Sequence, residues 1–235
     1  MKFRGLSART RMARWGLLAV TLGVVLGSTA PAALQALATT LVDQPANLAW
    51  YAERLTAFLA YFALAGSVIY GLLLSTKILD VLAHRPITFS LHQDLAAIGL
   101  GLAAIHGALL GLDHSMPFSV AQIAVPFAAP YQPLWVGAGQ LAFYLAGAVV
   151  ASFYLRRRVG QRAWRLVHYL TFLVFVGATA HGLGAGTDSA SPWAWWAYVL
   201  ATAAVAFLLA YRITLSVGRR LEPRAATTGP RRSPS

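Results

Sequence analysis

The sequence predicts an all-α integral membrane bundle of six transmembrane helices, with both termini on the cytoplasmic side. Three observations lead there. Only 11% of the residues are charged and the mean hydropathy is +0.61, where a soluble domain carries about a quarter charged residues. The apolar residues stand in long runs rather than in amphipathic periodicity, so lipid is the solvent they match. Lys and Arg fall in clusters between alternate runs, as in cytoplasmic loops.

Six segments are long enough to cross a hydrocarbon core at about 1.5 Å per residue, namely 15–38, 53–76, 91–112, 134–155, 165–185 and 193–215. The first follows a basic N-terminus, residues 1–14, with Lys2, Arg4, Arg9, Arg11 and Arg14. Two readings of it stand: an uncleaved helix, or a signal peptide with small residues near Ala36-Leu37-Ala38 as a cleavage site. The topology of the remainder is the same either way.

The N-terminus, the 77–90 loop, the 156–165 loop and the tail hold 18 of the 19 Lys and Arg residues, and Arg54 is the exception. Asp43, Glu53, Asp113 and Asp188 lie in the opposite loops. This asymmetry sets both termini inside. It also accounts for the net charge of +12 as topology, which excludes a nucleic-acid surface. The 113–133 segment, with Pro117, Pro126, Pro130 and Pro133, is the longest external connection and is placed to cap the outer face. Trp193, Trp195, Trp196 and Tyr198 open the sixth span as an interfacial aromatic belt. Residues 216–235 read as a disordered cytoplasmic tail after the six-helix domain of 15–215. Arg outnumbers Lys 17 to 2 and Ala is abundant, which fits a multi-pass protein of a bacterial plasma membrane with a GC-rich genome.

The chain has no Cys. Disulfides, iron–sulfur clusters and covalent C-x-x-C-H haem attachment are excluded, so other side chains must hold any redox centre. Six His are present, and four lie within two spans, where an ionisable group is costly unless it serves a purpose. His92 and His106 are 14 residues apart on the third span, and His168 and His181 are 13 apart on the fifth. Both spans run from the cytoplasm outward. His92 and His168 therefore share an inner level, and His106 and His181 an outer one, separated by roughly 20 Å. Each level receives one imidazole from each helix, which is what a six-coordinate haem iron needs between facing helices.

The helical phase is less simple. Fourteen residues return to within about 40° of the starting face, but thirteen miss it by about 140° on an ideal helix. Either the fifth span is overwound, with Gly177 the expected place, or His181 approaches from another side. Gly99 and Gly101 lie midway between His92 and His106, while Gly107 and Gly182 follow the outer histidines. Such residues allow close approach of a macrocycle or ordinary packing of helices.

At these histidines the sequence resembles the ferric reductase-like transmembrane domain. That six-helix di-haem core is shared by ferric-chelate reductases, NADPH oxidases and the haem-binding membrane subunit of the bacterial methionine sulfoxide reductase system. The resemblance rests on H-x13-H and H-x12-H, on the run from Gly160 to His168, and on Ala180-His181-Gly182 with Ala185-Gly186-Thr187-Asp188 after it. It covers about residues 50–215. It implies two noncovalent bis-histidine haem b groups, electron flow outward across the bilayer, and an external electron acceptor. Two departures matter. Fewer than 25 residues follow the last span, so input is expected from a separate cytoplasmic flavin/NAD(P)H reductase or from quinol, with a flavin or quinone on that side. Leu110 stands where the oxidase members place a further His, which argues against superoxide production.

Further candidates accompany the histidines. Phe175, like Phe172, lies between the fifth-span histidines, as an electron relay between haems or as core packing. Arg165 and Arg162 near the inner level, and Arg54 near the outer, are candidate partners of haem propionates. The alternatives are topological charge for the first two and a local pair with Glu53 for Arg54. His114, Asp113 and Asp188 form an outer-surface set read as solvated loop residues or an iron-binding site, and His84 reads as a surface residue. The expected function is a di-haem b electron-transfer subunit of a transmembrane oxidoreductase. A non-catalytic cytochrome relay to a dedicated external protein, or a haem-free proton or ion pathway, are the alternatives.

Overall fold

The computed structural model describes residues 48–78, 85–111 and 118–221. The expected span 15–38, the basic N-terminus, His84, Asp113, His114 and residues 222–235 lie outside them. Every regular element among the described residues is helical: α1 (Leu48–Thr76), α2 (Arg85–Leu110), α3 (Val120–Ala124), α4 (Pro133–Val159), α5 (Gln161–Tyr169), α6 (Thr171–Ala185) and α7 (Pro192–Leu221). With α5 and α6 counted as one span, five helices are long and apolar enough to cross a membrane. They match the five expected spans from 53 onward. The helix ends extend further, however, because polar turns outside the hydrocarbon remain helical. Thus α2 begins at Arg85, where Pro86 needs no backbone donor in the first turn, and α7 runs on to Leu221, past the expected boundary at 215.

The burial pattern is that of a protein in lipid. Large apolar side chains such as Leu55, Phe62, Ile105, Leu173, Val176 and Phe207 face outward. The interior is a cluster of Tyr61, Ala65, Leu72, Phe175, Ala194, Tyr198, Val205 and Leu208 from α1, α6 and α7. Small residues bring the helices close. Gly177 on α6 crosses α4 so tightly that a Cβ there would lie 3.1 Å from Ala142 Cβ and 3.2 Å from the Ala138 carbonyl oxygen.

Two local features shape the region around the histidines. Between α4 and α5 the chain reverses at Gly160, whose φ of +82° suits a residue without Cβ. Arg156, Arg157 and Arg158 close α4 and complement its C-terminal dipole. The 118–132 segment is then held onto α4 by Gln140 and by Tyr144, whose hydroxyl donates to the Ala124 carbonyl. Gln140 Nε2 donates to the carbonyls of Gln122 and Ile123, each at 2.7 Å, and its Oε1 accepts from the Phe127 amide at 3.3 Å. Within this segment a capping box of Ser119 and Gln122 starts α3.

The fifth expected span is broken at Leu170, between α5 and α6. The Leu170 amide bonds to the Val167 carbonyl at 3.0 Å, an i→i−3 bond that tightens the turn. The change of winding therefore falls at Leu170 and not at Gly177, whose role is the crossing with α4. His168 and His181 stand on different helical pieces, so the phase of one ideal helix does not govern their relation.

Candidate functional site

The four membrane histidines meet in two pairs. His92 and His168 have ring centroids 6.0 Å apart with planes crossed at 81°. His106 and His181 are 6.2 Å apart and crossed at 66°. A metal ion sits about 2.0–2.1 Å from an imidazole nitrogen. Adding a ring radius of about 1.1 Å on each side, two imidazoles clasping one ion in line have centroids about 6.3 Å apart. Both pairs have this separation.

In three of the four rings the Nδ1 atom faces a backbone carbonyl. His92 Nδ1 is 2.8 Å from the Ser67 oxygen, His106 Nδ1 is 3.1 Å from the Glu53 oxygen, and His181 Nδ1 is 3.0 Å from the Trp135 oxygen. A carbonyl oxygen only accepts, so each Nδ1 carries the proton and each Nε2 keeps its lone pair. This is the outer-shell arrangement that orients ligating histidines. His168 has a different support, because Trp164 one turn earlier stacks on it at 5.1 Å and 25°. The Trp164 indole N–H is buried without an acceptor, so this level retains an unused donor beside the ring.

The carbonyls are reachable for a reason that lies in the sequence. A helical carbonyl bonds to the amide four residues later, and the side chain of that later residue covers it. The residue four beyond Ser67 is Gly71, and four beyond Trp135 is Gly139. A Cβ on Gly71 would lie 3.1 Å from His92 Cε1, and one on Gly139 would lie 2.6 Å from His181 Cγ. Each glycine leaves the gap in which an imidazole reaches the helix backbone. At Glu53 the corresponding residue is Ala57, which is also small. Ser67 adds a second tie, its hydroxyl donating to the His92 carbonyl at 3.0 Å.

A cavity of about 540 Å³ opens at the His106/His181 pair, within the range of about 300–1,000 Å³ typical of cofactor sites. Most of its wall is apolar and small, including Ala57, Leu100, Ala103, Ala142 and Ala178, with Phe118 and Ile123 of the 118–132 segment over it. That segment thus covers the cavity. Arg54 also lines it, with Asp188 as its partner: Nε donates to Oδ2 at 2.6 Å, and the guanidinium lies 3.9 Å over the Trp50 ring. Asp188 is drawn into this pair, which gives it a structural contact beyond a solvated loop.

Of the other expected residues, Phe175 is buried in the core, stacked on Tyr61 at 6.3 Å, and does not line the cavity. Arg165 and Arg162 are exposed on α5. Gly107 and Gly182 line the cavity, whereas Gly99 packs on Leu64 and Gly101 faces open space. Sequence reading missed Ser67, Gly71, Trp135, Gly139 and Trp164. The small residue four positions beyond a carbonyl was the available signal, though small residues at that spacing are widespread in membrane helices.

The donor set fits a haem better than a bare ion. Among the described residues no three His, Cys, Asp or Glu side chains converge, and a pair of axial imidazoles suffices only for a metal that brings its own equatorial nitrogens. The chain matches no protein-family model, no curated protein and no solved structure.

Proposed function

We propose that this chain is a di-haem b subunit of a multi-pass bacterial plasma-membrane oxidoreductase, related in kind to ferric reductase-like proteins. In this reading it has six spans with both termini cytoplasmic. The observation that carries it is the pairing of four membrane imidazoles at metal-clasping distance, three of them tied back through Nδ1. His92 and His168 hold the inner haem, and His106 and His181 the outer one. When bound, each haem supplies a one-electron ferric/ferrous couple.

The protein's own part is to fix and insulate. Carbonyl ties at Ser67, Glu53 and Trp135 hold the rings in one tautomer, so no reorganisation of ligands accompanies a change of charge. The apolar wall excludes water from the outer level. Arg54 at the cavity and Arg165 at the inner end of α5 stand as propionate partners. Phe175, with Tyr61, provides aromatic packing between the two levels. Electrons enter from a cytoplasmic flavin/NAD(P)H reductase or quinol and leave to an external acceptor.

Transmembrane transfer is tested with the full chain in sealed vesicles with ferric chelate trapped inside. Reductant added outside is expected to reduce the trapped iron through wild-type protein, and at least tenfold more slowly through His106→Ala. Reduced haem beside trapped iron that stays ferric would favour a relay to a dedicated protein and contradict the reductase reading.

A further inference from the structure

Tyr198 opens α7 beside three tryptophans but does not share their surroundings. Trp193, Trp195 and Trp196 are each more than half exposed, as residues of an interfacial belt are, whereas Tyr198 is 6% exposed. Helical phase is the reason. Ala194, Tyr198, Val205 and Leu208 are all buried and recur at steps of three, four and seven, so they form the inward stripe of α7.

This phase brings the Tyr198 hydroxyl to the His106/His181 cavity. Tyr198 lines that cavity, and so does Gly182, the residue after His181. A Cβ at Gly182 would overlap the Tyr198 hydroxyl, so the missing side chain admits the tip of the phenol. Tyr61 lines the same cavity, T-shaped to Tyr198 with ring centroids 4.7 Å apart. Its hydroxyl, however, is tied to Thr179 Oγ1 at 3.2 Å. Among the described residues no group hydrogen-bonds the Tyr198 hydroxyl. A buried hydroxyl without a partner costs free energy, and Phe would fill the same space without that cost.

We infer that the Tyr198 hydroxyl is a hydrogen-bond donor to a carboxylate of the molecule that occupies this cavity. The inference rests on the two-haem reading above and deepens it. The acceptors at the edge of haem b are its two propionates, because its vinyl and methyl groups accept nothing and its four nitrogens hold the iron. Arg54 lines the same cavity but shares its charge with Asp188, whereas no anion of the chain has taken the phenol. A hydroxyl and an ionised carboxylate form a short, charge-assisted bond, which an apolar wall strengthens.

The experiment compares haem b with its dimethyl ester, in which both carboxylates are neutral. Each is titrated into full-length, haem-free protein and followed by absorbance. A His92→Ala background leaves His106/His181 as the pair under test. Tyr198→Phe is expected to weaken haem b about tenfold, as for loss of one bond to a charged group, and to leave the ester within about twofold. Tyr61→Phe should leave the ratio of the two affinities unchanged. Equal weakening of both compounds by Tyr198→Phe, or no weakening of haem b, would overturn the inference. Failure of Tyr198→Phe to fold would overturn it too, since the hydroxyl holds nothing within the chain. Uptake of neither compound by protein that keeps Tyr198 would instead overturn the reading beneath it.

Discussion

Gly139→Leu is expected to empty the His106/His181 level while the His92/His168 level stays loaded. The first atom of any side chain at this position already lies 2.6 Å from His181 Cγ, closer than non-bonded carbons approach. The ring must leave, and the bond from Nδ1 to the Trp135 carbonyl leaves with it. Because α4 and α6 are also packed at Gly177 and Ala142, the helices cannot separate locally without a cost of about 1–3 kcal/mol for overpacking. Haem content is expected to fall by half in Gly139→Leu, measured on purified protein. Gly101→Leu serves as the control: nothing lies within 4 Å of its Cβ position, and it should keep both haems. Full haem content in Gly139→Leu would show that His181 does not need this gap.

The second large effect concerns the histidines themselves. If each pair clasps a haem as proposed, removal of one imidazole leaves that haem a single ligand, so His92→Ala and His106→Ala should each lose one haem and keep the other. The two levels are roughly 20 Å apart along α2, beyond the distance over which substitutions usually couple. The absorbance of the reduced protein is therefore expected to divide between the two variants, and the double substitution to be colourless. Loss of both haems from either single variant would mean that the levels form one cooperative unit.

The residues differ in how far the sequence exposed them. Hydropathy alone located the spans from 53 onward, because a membrane helix must satisfy its backbone internally and present apolar side chains all round. Matching depth on two helices paired the histidines, since depth follows directly from residue count. Their phase was not legible. It depends on the tightened turn at Leu170, where Leu170-Thr171 carries no Gly or Pro to announce a break. The Nδ1 partners were hidden for another reason. Ser67, Glu53 and Trp135 act through backbone carbonyls, which have no side-chain signature, and they sit on α1 and α4, whose register against α2 and α6 is a tertiary property. For Arg54 the local partner considered was Glu53, and the structure adds Asp188, 134 residues away. A pairing of that range cannot be read from local spacing.

In the proposed reading, one imidazole from α2 and one from the α5–α6 span meet across a macrocycle at each level. The most direct measurement is the absorbance spectrum and haem quantification of the purified wild-type chain. Two noncovalent haem b groups per polypeptide, both low-spin and six-coordinate, are the result expected from ring centroids 6.0 and 6.2 Å apart. A colourless protein, or a single haem per chain, would contradict it.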